Sequence, residues 1–154
     1  MQGPIAGRAA LRQARVFYGT FSLFEMMDVR SSRLPDDVLV VEDDGIIALD
    51  CEDTLLGFGV KMVRTVGSVT RALKMIDERA PDFALLDISL VHEKSFAIAE
   101  RLDELGVPFA FVSGYGVDFG LPAAFANKPR LSKPWSADAL KSLLRSAMAS
   151  RPKP

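Results

Sequence analysis

Four short polar groups in this sequence, three of them directly after an apolar run, have a combined chemistry that suits the transfer of a phosphoryl group. Glu42-Asp43-Asp44 follows Val38-Leu39-Val40-Val41, and Asp87 closes Phe83-Ala84-Leu85-Leu86. Ser113-Gly114 follows Phe109-Ala110-Phe111-Val112, and Lys133-Pro134 precedes a last helical pattern. Clustered carboxylates bind a hard divalent ion such as Mg²⁺ (or Mn²⁺) through oxygen, and the ion lowers their mutual repulsion. Phosphoryl transfer needs charge stabilisation on the equatorial oxygens. An ammonium, a serine hydroxyl and a metal can together supply it. A carboxylate can itself be the nucleophile and carry the group as an aspartyl phosphate. Asp87 is the central candidate for that role.

These residues matter only if the chain brings them to one place, and the pattern around them says how it does. Val38–Val41 is continuously apolar, as in a strand buried on both faces. Residues 45–58 can form a helix carrying Ile46, Ile47, Leu49, Leu55 and Leu56, with Gly57 and Gly59 marking its end. Residues 60–66 read as a second strand, interrupted by Lys61 and Arg64. Ser68 can cap a helix with Val69, Ala72, Leu73 and Ile76 on one face. Residues 83–86 form a third strand. Residues 95–105 are helical, with Phe96, Ala99 and Leu102 aligned and Gly106 closing them. Residues 109–112 are a fourth strand. Residues 114–130 hold several glycines and prolines and no clean helical stripe. A short fifth strand must precede Lys133, and Ser136 caps a last helix bearing Leu140, Leu143, Leu144, Ala147 and Met148. Five βα repeats predict an α/β fold, a doubly wound parallel five-stranded sheet. In such sheets the active crevice lies at the carboxyl ends of the strands, which is where the four polar groups fall.

Composition bounds the rest. A chain of 154 residues is one domain with room for a tail. The 19 basic and 20 acidic residues nearly cancel, which gives no reason to expect a nucleic-acid or membrane partner. One cysteine, Cys51, excludes an intrachain disulfide and fits a reducing compartment. No apolar run approaches the roughly 18 residues of a spanning helix, and Arg8, Arg12 and Arg15 break any secretory signal pattern. A cytoplasmic protein is expected. Residues 1–35, with Phe17, Tyr18, Phe21 and Phe24, read as an N-terminal extension that is flexible or adds a helix over residues 9–16; residues 36–150 form the main domain and 151–154 a tail.

Over about residues 36–150 the sequence resembles the receiver domains of response regulators in two-component signalling. The resemblance is carried by the acid pair Glu42-Asp43, by Asp87, by Ser113 and by Lys133-Pro134, in that order and at fitting spacings. It implies that Asp43 is a direct ligand of Mg²⁺, organised with Glu42, and that Asp87 is both ligand and phosphoacceptor. It implies that the backbone carbonyl of Ser89 is a third protein ligand, that Ser113 hydrogen-bonds the phosphoryl group, that Lys133 pairs with a phosphoryl oxygen, and that the Lys133-Pro134 bond is cis. Gly106-Val107-Pro108-Phe109-Ala110-Phe111-Val112-Ser113-Gly114-Tyr115-Gly116 further resembles single-domain alphaproteobacterial receivers with a Phe-Ala-Thr-Gly-Tyr type motif, Val112 and Ser113 replacing Ala and Thr. That narrower likeness implies a histidine kinase partner of the HWE or a related class, or a phosphotransfer protein. It also implies a downstream protein partner without a DNA-binding output, a monomer or weak homodimer, and no turnover of external substrate.

Two departures stand out. Arg130 occupies the place, three residues before the lysine, where receivers usually carry Tyr or Phe, with Tyr115 the nearest substitute. Lys128-Pro129 is a second Lys-Pro pair; Lys133-Pro134-Trp135 is preferred because it leads into the capped last helix. A degenerate receiver that acts as a phosphorylation-independent interaction module is the alternative. An aspartate-based phosphatase would want a second acid two residues after the nucleophile, where this chain has Ser89. Taken singly, Glu42-Asp43-Asp44 could be the charges of a helix start, Asp87 a cap and Ser113 structural. His92 reads as an exposed loop residue, and Cys51 as helix packing.

Overall fold

The computed structural model describes residues 33–114 and 120–150. The proposed helix over residues 9–16, Tyr115 and the 151–154 tail lie outside the described residues. Leu34 begins the compact unit that contains the site.

The elements run β1 (Asp37–Val41), α1 (Gly45–Phe58), β2 (Met62–Val66), α2 (Val69–Glu78), β3 (Phe83–Asp87), a short hairpin of β4 (Ser89–Leu90) and β5 (Glu93–Lys94), α3 (Phe96–Glu104), β6 (Phe109–Gly114), a 3₁₀ turn (Ala123–Phe125), β7 (Arg130–Lys133) and α4 (Ala137–Ala149). The main sheet is parallel throughout, in the order β2-β1-β3-β6-β7. This is the doubly wound α/β arrangement that the alternating pattern predicts. The hairpin was not foreseen: β4 and β5 have two residues each, too few for any periodicity to reveal.

Burial explains which runs became central strands. All five residues of β1 and of β3 are buried, as expected where helices cover both faces. β2 is an edge strand and only Val66 is buried along it. It begins at Met62 rather than at Val60, which leaves Lys61 to pair with Asp36 before the ladder starts. Side-chain alternation divides the interior into two layers. Leu39, Val41, Leu86, Phe109 and Phe111 pack with α2 and α3. Val38, Val40, Leu85, Val112 and Leu131 pack with α1 and α4.

The helices start where side-chain caps permit. Asp44 accepts the N–H groups of Ile46 and Ile47, Ser68 that of Arg71, and Ser136 that of Ala139. α1 ends at Gly59 with φ 103°, a backbone conformation that favours glycine. The buried face of α1 is Ala48, Cys51 and Leu55. Ile46, Leu49 and Leu56 face outward, with Ile46 83 % exposed. The apolar residues of this helix therefore mark its identity but not its packing stripe. The Gly- and Pro-rich stretch forms only a 3₁₀ turn among its described residues, and Phe125 of that turn is buried against Phe96, Phe109 and Phe111.

Candidate functional site

The chain leaves β1 toward β2 on one side and leaves β3 toward β6 on the other. The connections diverge there, so a crevice opens beyond the carboxyl ends of β1 and β3. The parallel register sets Val41 beside Leu86. Glu42 and Asp43, just past β1, therefore meet Asp87 at the end of β3. Carboxylate oxygens of Glu42, Asp43 and Asp87 all lie within 4.8 Å of one another. Glu42 and Asp87 are buried, and Asp43 is half-buried.

β7 delivers the counter-charge. Lys133 Nζ donates to Glu42 Oε2 at 2.6 Å and to Asp87 Oδ2 at 3.0 Å. Backbone N–H groups take up other oxygens: Asp44 donates to Glu42 Oε1 at 3.1 Å, Ser89 to Asp87 Oδ1 at 3.1 Å, and Val91 to Asp43 Oδ2 at 2.5 Å. Below the acids the floor is apolar, lined by Val40, Val41, Cys51, Leu85, Val112 and Trp135. That floor acts on the charges above it. Desolvation pushes the Glu42 carboxyl up from its ordinary value, assisted by the Asp87 charge and opposed by the bonds from Lys133 and Asp44. Burial by itself would lower the Lys133 ammonium, but its bonds to Glu42 and Asp87 prevail and hold it above the usual lysine value. Cys51 is buried in the layer that packs α1 on the sheet, where desolvation pushes its thiol up to about 12 and disfavours the reactive thiolate.

The remaining sequence candidates fall as follows. Ser113 is buried on β6, one residue beyond Val112, the register partner of Asp87. Ser89 is exposed on β4, its backbone N–H on Asp87. The Lys133-Pro134 bond is cis. The competing lysine is elsewhere: Lys128 pairs with Asp103 and sits 4.9 Å from the centre of the Phe109 ring. Arg130 opens β7 and is exposed. His92 is exposed in the hairpin turn. Lys94, which sequence reasoning missed, donates to Ser89 Oγ at 2.7 Å. Its only signal was a charge seven residues after Asp87, and the hairpin that folds it back was invisible.

No protein-family model matches the chain. The solution structure of SdrG from Sphingomonas melonis is similar at 34% identity and TM-score 0.63, over 73% of this chain and 94% of that one. A response regulator receiver protein from Sinorhizobium medicae shares the fold at 23% identity and TM-score 0.63, over 75% of this chain and 96% of that one. The chain belongs to the receiver domains of response regulators. A curated relative of this receiver is the phyllosphere-induced regulator PhyR of Methylorubrum extorquens, 30% identical over 82 residues. That match covers 51% of this chain but 31% of PhyR, so the chain spans about a third of that relative's length. Among the described residues of the receiver, no helix is long and apolar enough to cross a membrane.

The donor set fits a hard cation. Three oxygen-bearing carboxylates converge, and neither cysteine nor histidine joins them among the described residues, which is the chemistry of Mg²⁺ or Mn²⁺ rather than of a softer metal.

Proposed function

We propose that the domain accepts a phosphoryl group on Asp87 from a partner histidine kinase, of the HWE or a related class, or from a phosphotransfer protein. One observation carries the reading: Asp87 shares a pocket with two other acids while Lys133 Nζ stands 3.0 Å from its Oδ2. Asp43 and Asp87, organised by Glu42 and joined by the Ser89 carbonyl, would hold Mg²⁺ or Mn²⁺. When bound, that ion supplies neutralising charge to the transferring group. In the transfer, an Asp87 oxygen forms the new bond to phosphorus and the P–N bond of the donor phosphohistidine breaks. The imidazole leaves with that electron pair and takes up a proton. Lys133 moves its donors from Asp87 to a phosphoryl oxygen, and Ser113 hydrogen-bonds another. The product replaces the singly charged Asp87 carboxylate by an acyl phosphate of about two negative charges, a net gain of about one, and adds strong acceptors that can bias a two-state surface. The surface around the 3₁₀ turn, β7 and α4 then signals to a downstream protein. Residues 36–150 form the receiver, preceded by an extension and followed by a short tail. The protein works in the cytoplasm as a monomer or weak homodimer. It turns over no external substrate.

The test is Mg²⁺-dependent labelling by acetyl phosphate and by the kinases of the source organism. Wild-type protein should take up label, and Asp87→Asn should lose it by at least about a hundredfold. Undiminished labelling of Asp87→Asn would exclude Asp87 as acceptor. A second reading, a receiver that binds partners regardless of phosphorylation, is favoured by exposed Arg130 in the usual aromatic place. Partner affinity that is equal with and without label would establish it.

A further inference from the structure

The hairpin after Asp87 holds a cation that this mechanism does not use. β4 and β5 pair antiparallel, Ser89 opposite Lys94 and Leu90 opposite Glu93, so Val91 and His92 make the turn. His92 has φ 71°, a left-handed conformation that is unfavourable for a residue with a Cβ. Such a conformation persists where the surroundings over-determine it, and here they do. Val91 N–H donates to Asp43, Glu93 Oε1 accepts the Val69 N–H at 2.8 Å, and Ser89 N–H donates to Asp87. The hairpin is thereby fastened to two of the pocket acids and to the start of α2.

This fixed frame holds Lys94 Nζ 2.7 Å from Ser89 Oγ, both residues exposed. Ser89 therefore meets Lys94 through its Oγ and Asp87 through its backbone N–H. Lys133 is engaged by two carboxylates, whereas Lys94 has no carboxylate partner among the described residues. An ammonium has three donors, and among the described residues one of those on Lys94 is engaged. An uncompensated ammonium beside a hydroxyl matches the terminal oxygens of a phosphate dianion. We infer that Lys94 and Ser89 form an anion subsite at the mouth of the pocket, holding the phosphoryl group of a small anionic phosphodonor while Asp87 attacks it. The inference rests on Asp87 being the acceptor. Lys94 is a positioning residue and forms no covalent bond. With acetyl phosphate, the Asp87 oxygen forms the new P–O bond, the P–O bond to the acetyl group breaks, and acetate leaves with the electron pair.

The experiment compares wild type, Lys94→Met and Lys94→Arg as full chains with Mg²⁺. Two readouts are used: labelling rate against acetyl phosphate concentration, and amide NMR shifts of residues 89 and 94 against inorganic phosphate. Lys94→Met should raise the half-saturating acetyl phosphate concentration about fivefold at low salt, with a smaller change in maximal rate. The difference should shrink in high salt. Lys94→Arg should stay within about twofold of wild type, since it restores the charge. The phosphate-induced shifts should be lost in Lys94→Met and kept in Lys94→Arg. Identical saturation curves for wild type and Lys94→Met overturn the subsite, as does an Arg variant as impaired as the Met variant at every salt concentration. Should wild type take no label on Asp87, the acceptor reading falls. The phosphate titration then still decides the subsite, which survives if Lys94→Met abolishes the shifts and fails if the shifts persist.

Discussion

The two ends of the sheet both bury acids among bases, yet they are built for different ends. At the amino end, Asp37 is 5% exposed as a side chain and meets two guanidinium groups. Arg64 grips it through Nε at 3.1 Å and Nη2 at 3.0 Å, and Arg79 adds a contact at 3.3 Å. Asp37 N–H also donates to Asp82 Oδ2 at 3.1 Å, and Arg64 reaches the Met75 and Arg79 carbonyls. There, two cations converge on one carboxylate, and the cluster ties β1 to β2 and to the end of α2. At the carboxyl end three carboxylates converge, and one ammonium, Lys133, pairs with two of them, Glu42 and Asp87. A cluster that is already satisfied is a clip. A cluster short of positive charge has the donor chemistry to receive a cation. The difference in charge balance, more than the presence of buried acids, separates scaffold from site.

Substitution at each end should break that symmetry in opposite ways. Asp37→Ala should cost about 2 kcal/mol of stability, because half-buried Arg64 loses its carboxylate partner and keeps only the Met75 and Arg79 carbonyls; urea unfolding measures it, and labelling per folded molecule should persist. Asp43→Ala should leave the cation-free fold within about 1 kcal/mol of wild type while weakening Mg²⁺ binding and labelling together by about tenfold or more. A large stability loss in Asp43→Ala with normal labelling would erase the distinction. Lys133→Met should cost about 2 kcal/mol at neutral pH, since two acids lose their shared cation. It should impair the phosphorylation-induced change more than Mg²⁺ binding. The folded-state value of Lys133 lies above its ordinary one, so its contribution is complete below about 10.4, the unfolded value, and is lost as pH rises through the folded value. The stability gap between wild type and Lys133→Met should therefore narrow in strongly alkaline solution. Asp44 sharpens the comparison from within the acid run, because its carboxylate already caps α1. Asp44→Ala should cost about 1 kcal/mol in thermal unfolding and leave Mg²⁺ affinity unchanged.

Much of this molecule was readable along the chain. The three buried runs, the caps at Asp44, Ser68 and Ser136, and the polar residues at the strand ends follow from side-chain chemistry and local periodicity, which any segment carries by itself. Strand ends also determine neighbours in a doubly wound sheet, so the meeting of Glu42, Asp43, Asp87 and Lys133 could be anticipated. Tertiary structure decided what local pattern leaves open. It turned Ile46 and Leu49 outward and Cys51 inward, because a helix packs on whichever face the sheet covers and not on its most apolar residues. It placed Lys133 rather than Lys128 among the acids, because the register of β7 against β6 fixes which lysine reaches the rim. It folded Ser89 onto Lys94 through a hairpin too short to announce itself. Such contacts join residues distant in the chain or in turns too brief for a period, and their energies exist only once the sheet has brought the partners within reach.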